Sequence, residues 1–255
     1  MPALSVCVEM VFRPLEFIER IEAVARAGYS AFEFWKWQDK DMPAIKEAKE
    51  RLGLECAAFA VRGGTLLDPA NHQRFCDTLS QAAEWANQLT CPSLIVTTGN
   101  TLPDVPRERQ LDDLRRGLEG VAKAAQAGGV VAVVEPLNSK VDHKGYFLDH
   151  GPEAFQLVEE INNPHLRVLY DIYHMQIMDG DIIATIEQQI DKIGHFHVAD
   201  VPGRHEPGTG ELNYPNIFRR IDATGYTGFV GLEYRPSGEH APSLAVVKAF
   251  AAPVK

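Results

Sequence analysis

Short apolar runs rich in β-branched residues alternate with longer amphipathic runs along all 255 residues. Residues 4–9, 31–35, 55–60, 93–98, 130–134, 167–170, 193–199 and 229–232 read as strands. Helix candidates lie between them at 15–27, 43–52, 69–89, 111–127, 152–161, 182–189 and 214–223. In the first of these, apolar residues at 17, 18, 21, 24 and 25 follow a period of 3.6 and not 2. Asp68-Pro69 reads as an N-cap followed by proline at the first helical position. A glycine recurs at the joint from helix to strand, in Ala27-Gly28-Tyr29, Leu52-Gly53-Leu54, Gly128-Gly129-Val130 and Thr224-Gly225-Tyr226. A residue there closes a helix in the left-handed conformation, which glycine adopts without a Cβ penalty.

Eight strand-and-helix units at about 32 residues each predict a (β/α)8 TIM barrel, α/β in class, which typically takes ~250 residues as one domain. The expected domain is 1–255, since no linker, low-complexity tract or charge block divides the chain. An open doubly wound sheet would place a glycine-rich phosphate loop after its first strand. Here that strand runs into Val8-Glu9-Met10-Val11-Phe12-Arg13-Pro14, without glycine. No apolar run approaches the ~20 residues of a membrane span. The start, MPALSVCVEM, lacks the basic and long apolar stretches of a signal peptide, so a cytoplasmic protein is expected. The net charge of −10, with no basic stripe, argues against nucleic acid as partner. The four cysteines show no CxxC or zinc-finger spacing and read as free, largely buried thiols.

Barrel enzymes carry their chemistry at the C-terminal ends of the strands. Strand five ends in Glu135-Pro136-Leu137-Asn138 and strand six in Asp171-Ile172-Tyr173-His174. Strand seven reads His195-Phe196-His197 and strand eight ends in Glu233-Tyr234-Arg235. Four successive strands therefore end in a carboxylate or an imidazole. Glu135, Asp171, His197 and Glu233 would converge on one mouth, where three carboxylates repel one another unless a cation joins them. The set suits Mn²⁺ or Mg²⁺, with Zn²⁺ or Co²⁺ as further choices. His195 shares a side of its strand with His197 and is either the ligand instead or a core histidine one layer down. His197 is preferred because it lies nearer the strand's C-terminal end.

These residues bring the chain close to a known family. Over nearly its whole length it resembles the xylose isomerase-like barrels and, within them, the hydroxypyruvate isomerases. The most specific stretch is Ala199-Asp200-Val201-Pro202-Gly203-Arg204-His205-Glu206-Pro207-Gly208-Thr209-Gly210-Glu211-Leu212-Asn213-Tyr214. Gly145-Tyr146-Phe147-Leu148, Asp171-Ile172-Tyr173-His174-Met175-Gln176 and Gly231-Leu232-Glu233-Tyr234 add to it. The resemblance implies an isomerase with metal on Glu135, Asp171, residue 197 and Glu233. It implies proton transfer by Glu135 and Glu233 and substrate binding by His174 and Arg204. Two features depart from the pattern. Position 197, often glutamine in hydroxypyruvate isomerases, is the histidine that ketose 3-epimerases use. The first two loops, at Cys7-Val8-Glu9-Met10-Val11-Phe12 and Phe34-Trp35-Lys36-Trp37, are also unusual in wording.

The chemistry implied is removal of a proton beside a carbonyl and its return to the neighbouring carbon through a cis-enediolate. The expected partner is a small hydroxy-keto acid or keto sugar. Hydroxypyruvate is the first choice, with ketose 3-epimerisation and 2-oxo-tetronate isomerisation as alternatives on the same scaffold. A repair nuclease is disfavoured by the negative charge, and a non-catalytic binding barrel by the paired glutamates. Arg204 has the planar fork that suits a substrate carboxylate. Lys140 and Lys144 are further cations near strand five, and Trp35 and Trp37 either wall the pocket or pack on helices. A homo-oligomer is compatible with all of this.

Overall fold

A computed structural model describes residues 2–251 of the chain. Eight strands form a closed, wholly parallel barrel in chain order. They are β1 (Ala3–Cys7), β2 (Ala31–Lys36), β3 (Glu55–Val61), β4 (Ser93–Val96), β5 (Val131–Val134), β6 (Leu166–Asp171), β7 (Ile193–Val198) and β8 (Phe229–Leu232). Closure pairs Ala3 with Phe229 and Val6 with Leu232. The intervening helices are α1 (Phe17–Arg26), α2 (Met42–Leu52), α3 (His72–Leu89), α4 (Arg107–Gly128), α5 (Gly151–Ile161), α6 (Ile172–Met178), α7 (Ile182–Gln189), α8 (Tyr214–Ala223) and α9 (His240–Ala251). Among the described residues, no helix is long and apolar enough to cross a membrane.

Local chemistry sets the element ends. α2 starts under Asp41, whose side chain accepts from Ala44 N at 3.0 Å. Gly53 and Gly129 close α2 and α4 at φ 64° and 68°, as their place at the helix-to-strand joint requires. Asp68 accepts from Ala70 N at 3.0 Å, but it opens only a single 3₁₀ turn before α3 begins.

Two helices have no counterpart in the sequence pattern. α6 follows β6 without a loop, with the last strand residue, Asp171, capping it by accepting from His174 N at 3.1 Å. α9 carries Leu244-Ala245-Val246-Val247 as one apolar run, which erases the 3.6-residue alternation. It nonetheless buries Leu244, Val247 and Ala251 against the barrel wall.

Alternation along the strands divides the side chains into two sets. One set lies between strands and helices and forms the main core, with Phe32, Phe34, Phe59 and Phe196 among its largest members. The other fills the barrel. Ala58, Ala60, Ile95, Val133 and Leu169, from β3 to β6, form one small apolar cluster with Trp35 and Val131 beside it. The remaining strands contribute Ser5, Glu33, His195 and His197, all buried. The interior is thus apolar on one side and polar on the other, and the polar side rises to the C-terminal mouth.

Candidate functional site

Glu135, Asp171, His197 and Glu233 meet at that mouth. Each offers a donor atom, and the four donors lie within 4.8 Å of one another. All four residues are buried. His197 Nδ1 faces the carboxylates, at 3.3 Å from Glu135 Oε1, 3.6 Å from Glu233 Oε2 and 4.0 Å from Asp171 Oδ2. His195 lies one layer down, hydrogen-bonded through Nε2 to Glu33 Oε2 at 3.0 Å.

The electrostatics fit a divalent cation. Burial pushes the Asp171 carboxyl up to about 7, against the pull of Arg204 and His197 and with the push of Glu233 and Glu135. Burial alone would lower the His197 pKa, yet Glu233, Glu33 and Glu135 hold it well above the usual value. Three carboxylates and one imidazole are a donor set for Mn²⁺ or Mg²⁺, and a tolerable one for Zn²⁺ or Co²⁺.

The surrounding residues fix this set from several directions. Trp35, at the end of β2, donates from Nε1 to Glu233 Oε1 at 2.6 Å. Trp35 therefore borders the site, whereas Trp37 packs against the main core. Arg204 binds the other Glu233 oxygen, and its guanidinium lies 5.3 Å from the Tyr173 ring centroid. Its backbone is held on both sides: Arg204 N donates to Asp200 O at 3.1 Å and Arg204 O accepts from Arg235 N at 2.8 Å. Lys140 donates to the carbonyls of Ile177 and Met178 at the end of α6, and Lys144 is exposed. A cavity of about 480 Å³, lined by Glu9, Trp35, Lys36, Asp39, Lys40 and Arg62, opens beside the site.

His174 has a defined tautomer. Asn138 Oδ1 accepts from Val141 N and Asp142 N, so its amide nitrogen is the atom facing His174 Nδ1 at 2.7 Å. Asn138 N donates to the same Nδ1 at 3.3 Å. Burial, then the charge of Arg204, lowers the His174 pKa well below its usual value, so the ring is neutral and its proton sits on Nε2. Among the described residues that Nε2 is buried with no hydrogen-bond partner, 3.5 Å from Asp171 Oδ2. Arg204 Nε is likewise buried without a hydrogen-bond partner among the described residues. Buried donors left unmet at a mouth are what a bound ligand satisfies.

The six residues expected from the sequence thus gather at one end of the barrel. The sequence did not single out Trp35 as a partner of Glu233, nor Asn138, Asp142 and Glu33 as the residues behind His174 and His197. Each of those contacts depends on side-chain direction between distant strands or loops. The expected free thiols hold: Cys7, Cys56 and Cys91 are buried, and Cys76 is half-buried.

A sequence profile described as xylose isomerase-like TIM barrel matches residues 21–250, and the chain belongs to that family. Among its relatives is a 2-oxo-tetronate isomerase of Cupriavidus necator, 32% identical over 98% of this chain and 99% of the relative. The hydroxypyruvate isomerase of Escherichia coli K12 is 31% identical over 91% of this chain and 93% of its own. Among solved structures, one described as an AP endonuclease, family 2, from Brucella melitensis superposes with a TM-score of 0.92 at 32% identity, covering 98% of this chain and 99% of that one.

Proposed function

We propose that this chain is a divalent-cation-dependent isomerase of a small 2-oxo acid, with hydroxypyruvate as substrate and 2-hydroxy-3-oxopropanoate as product. The observation that carries this reading is the convergence of four buried ligand-type residues with two unmet donors, His174 Nε2 and Arg204 Nε, at one mouth. The isomerases of Cupriavidus necator and Escherichia coli, similar over nearly the whole chain, support the reaction class. A cation held by Glu135, Asp171, His197 and Glu233 would supply positive charge to two adjacent substrate oxygens as negative charge develops on them.

The chain's own groups then handle the proton. One of Glu135 and Glu233 removes it from C3 of hydroxypyruvate, the other, protonated beforehand, delivers a proton to C2, and the hydroxyl proton passes from O3 to O2 as the C3 carbonyl forms. The intermediate between these steps is an enediolate of the substrate. Two glutamates from strands β5 and β8 can flank a flat intermediate, and acid–base assistance of this kind contributes about 10² to 10⁴ in rate. Trp35 and Arg204 fix both oxygens of Glu233, which limits its carboxylate to one orientation. His174 donates from Nε2 to a substrate oxygen. Arg204 offers its free Nε–H to the substrate carboxylate while its terminal nitrogen keeps Glu233. A longer 2-oxo acid is the second reading, favoured by the cavity beside Trp35 and by the 2-oxo-tetronate isomerase relatives.

The test is a panel of hydroxypyruvate, a 2-oxo-tetronate and free keto sugars, with chelator-treated protein and added Mn²⁺, Mg²⁺ or Co²⁺. Turnover of the acids with a cation present is expected. Turnover of keto sugars alone would replace this reading with ketose epimerisation.

A further inference from the structure

Glu33 stands one layer below the four-residue cluster and takes no part in the steps above. It sits mid-strand in β2, between Phe32 and Phe34, which belong to the outer core. Alternation turns Glu33 into the barrel, where it is 1% exposed. In the closed barrel β2 is separated from β7 by β1 and β8, so contacts from Glu33 to the β7 histidines cross the interior.

A lone carboxylate in such a place is costly unless it is paired and hydrogen-bonded. Three donors surround this one. Glu33 Oε2 accepts from Ser5 Oγ at 2.6 Å and lies 3.0 Å from His195 Nε2. Glu33 Oε1 lies 2.9 Å from His197 Nε2 as an ion pair, and among the described residues neither atom has an aligned hydrogen bond, so a small turn of the ring or carboxylate is enough to bring the two into line. The barrel also leaves space for this carboxylate. A Cβ on Gly231, across the interior on β8, would come within 2.4 Å of Glu33 Oε1.

We infer that Glu33 is a positioning residue, which takes the Nε2–H of His197 so that Nδ1 is the nitrogen turned to Glu135, Asp171 and Glu233. An imidazole has two nitrogens, and the one bonded to a second carboxylate fixes which is free to ligate. Nδ1 is already the atom facing the three carboxylates, at 3.3 to 4.0 Å. Ser5 and His195 hold the other Glu33 oxygen, so the carboxylate cannot follow His197 if the ring shifts. The inference rests on the cation-dependent reading above.

Calorimetric titration with Mn²⁺ of chelator-treated wild-type chain, Glu33→Gln and Gly231→Ala tests it. Glutamine keeps the volume but sets an amide NH₂ among three donors, which it cannot satisfy. The wild-type chain should bind one ion. Glu33→Gln should bind one ion 10- to 100-fold more weakly, the scale of a lost partner behind a metal ligand. Its kcat at saturating Mn²⁺ should fall far less than its Mn²⁺ affinity, so that the defect appears as a higher cation requirement and not as failed chemistry. Gly231→Ala, which displaces the carboxylate without removing it, should weaken binding in the same direction. It carries the test if circular dichroism shows Glu33→Gln unfolded. Wild-type affinity in both variants would overturn the positioning role alone. Two ions in the wild-type chain and one in Glu33→Gln would also overturn it, since Glu33 would then be a ligand of a second ion with His195 and His197. A wild-type chain that binds no Mn²⁺ would overturn this inference together with the cation-dependent reading.

Discussion

Each glutamate of the proposed pair is asked to do two things, to hold a cation and to move a proton. Alanine would remove both functions at once, whereas glutamine keeps an oxygen for the cation and loses the acid–base group. Glu135→Gln and Glu233→Gln should retain Mn²⁺, seen by calorimetry, and each should lose about 10² or more in kcat. A variant turning over at the wild-type rate would move the proton carrier elsewhere, with His174 next in line. Arg204 is expected to read the substrate carboxylate and also binds Glu233. Arg204→Ala should therefore raise KM for hydroxypyruvate far more than for a neutral keto sugar, and should lower kcat for both. Equal KM effects would mean that Arg204 serves Glu233 alone. The four ligand-type residues were legible in the sequence because strand ends are readable and barrels place their chemistry there. Glu33 was not, because its partner His195 on β7 lies 162 residues away. A glutamate between two phenylalanines shows no motif. The Trp35–Glu233 bond, spanning 198 residues, escaped for the same reason.

At the scale of elements, the strands were recovered within a few residues, while the loops that aim the side chains were legible only as a motif. The segment from Asp200 to Asn213 shows what that motif does physically. Asp200 is fully buried and accepts from Val201 N at 2.9 Å, Gly208 N at 2.7 Å and Leu212 N at 3.1 Å. One carboxylate thus organises the loop that carries Arg204, whose backbone sits at φ 58°. Few side chains adopt that region without support from their surroundings. Asp200→Ala leaves three backbone donors without this acceptor and should cost roughly 2–4 kcal/mol in chemical denaturation. It should also cut turnover, because Arg204 loses its seat. Glu206 fastens the same loop to the β8 end, accepting from Ser237 N at 2.8 Å and from Ser237 Oγ at 2.6 Å. Burial opposes the charged form of Glu206, but the Ser237 hydrogen bonds outweigh it and lower its pKa. A carboxylate whose pKa is depressed on folding contributes stability above its unfolded value, about 4.3, and loses it as pH falls through the folded value. The stability gap between wild type and Glu206→Gln should therefore be full at pH 6 and narrow steadily below about pH 4. A gap that widens on acidification would show that the Ser237 clasp does not favour the charged form. α6 and α9 mark the limit of pattern reading: one is fused to its strand, and the other is apolar on too many consecutive positions to show a face.

For the whole molecule, the barrel concentrates buried charge at one mouth of a chain whose net charge is −10. A cation held by that cluster would bind the folded chain alone, because its four candidate ligands come from β5 to β8 and converge only on folding. At a hundredfold excess over its Kd it should stabilise the protein by about 2.7 kcal/mol. At roughly 2–4 °C per kcal/mol for a chain of this size, Tm should rise by about 5–11 °C and fall back with chelator. An unchanged Tm across a saturating Mn²⁺ range would count against the cluster as a cation site. Proton transfer through an enediolate can be read from isomerisation carried out in D₂O. Metal-loaded protein is incubated with hydroxypyruvate in D₂O and the mixture is followed by proton NMR. Deuterium is expected at C2 of the 2-hydroxy-3-oxopropanoate formed, with gradual exchange at C3 of the remaining hydroxypyruvate. Conversion that leaves both positions fully protonated would mean that hydrogen moves directly between the carbons, with no proton passing through Glu135 or Glu233 to solvent.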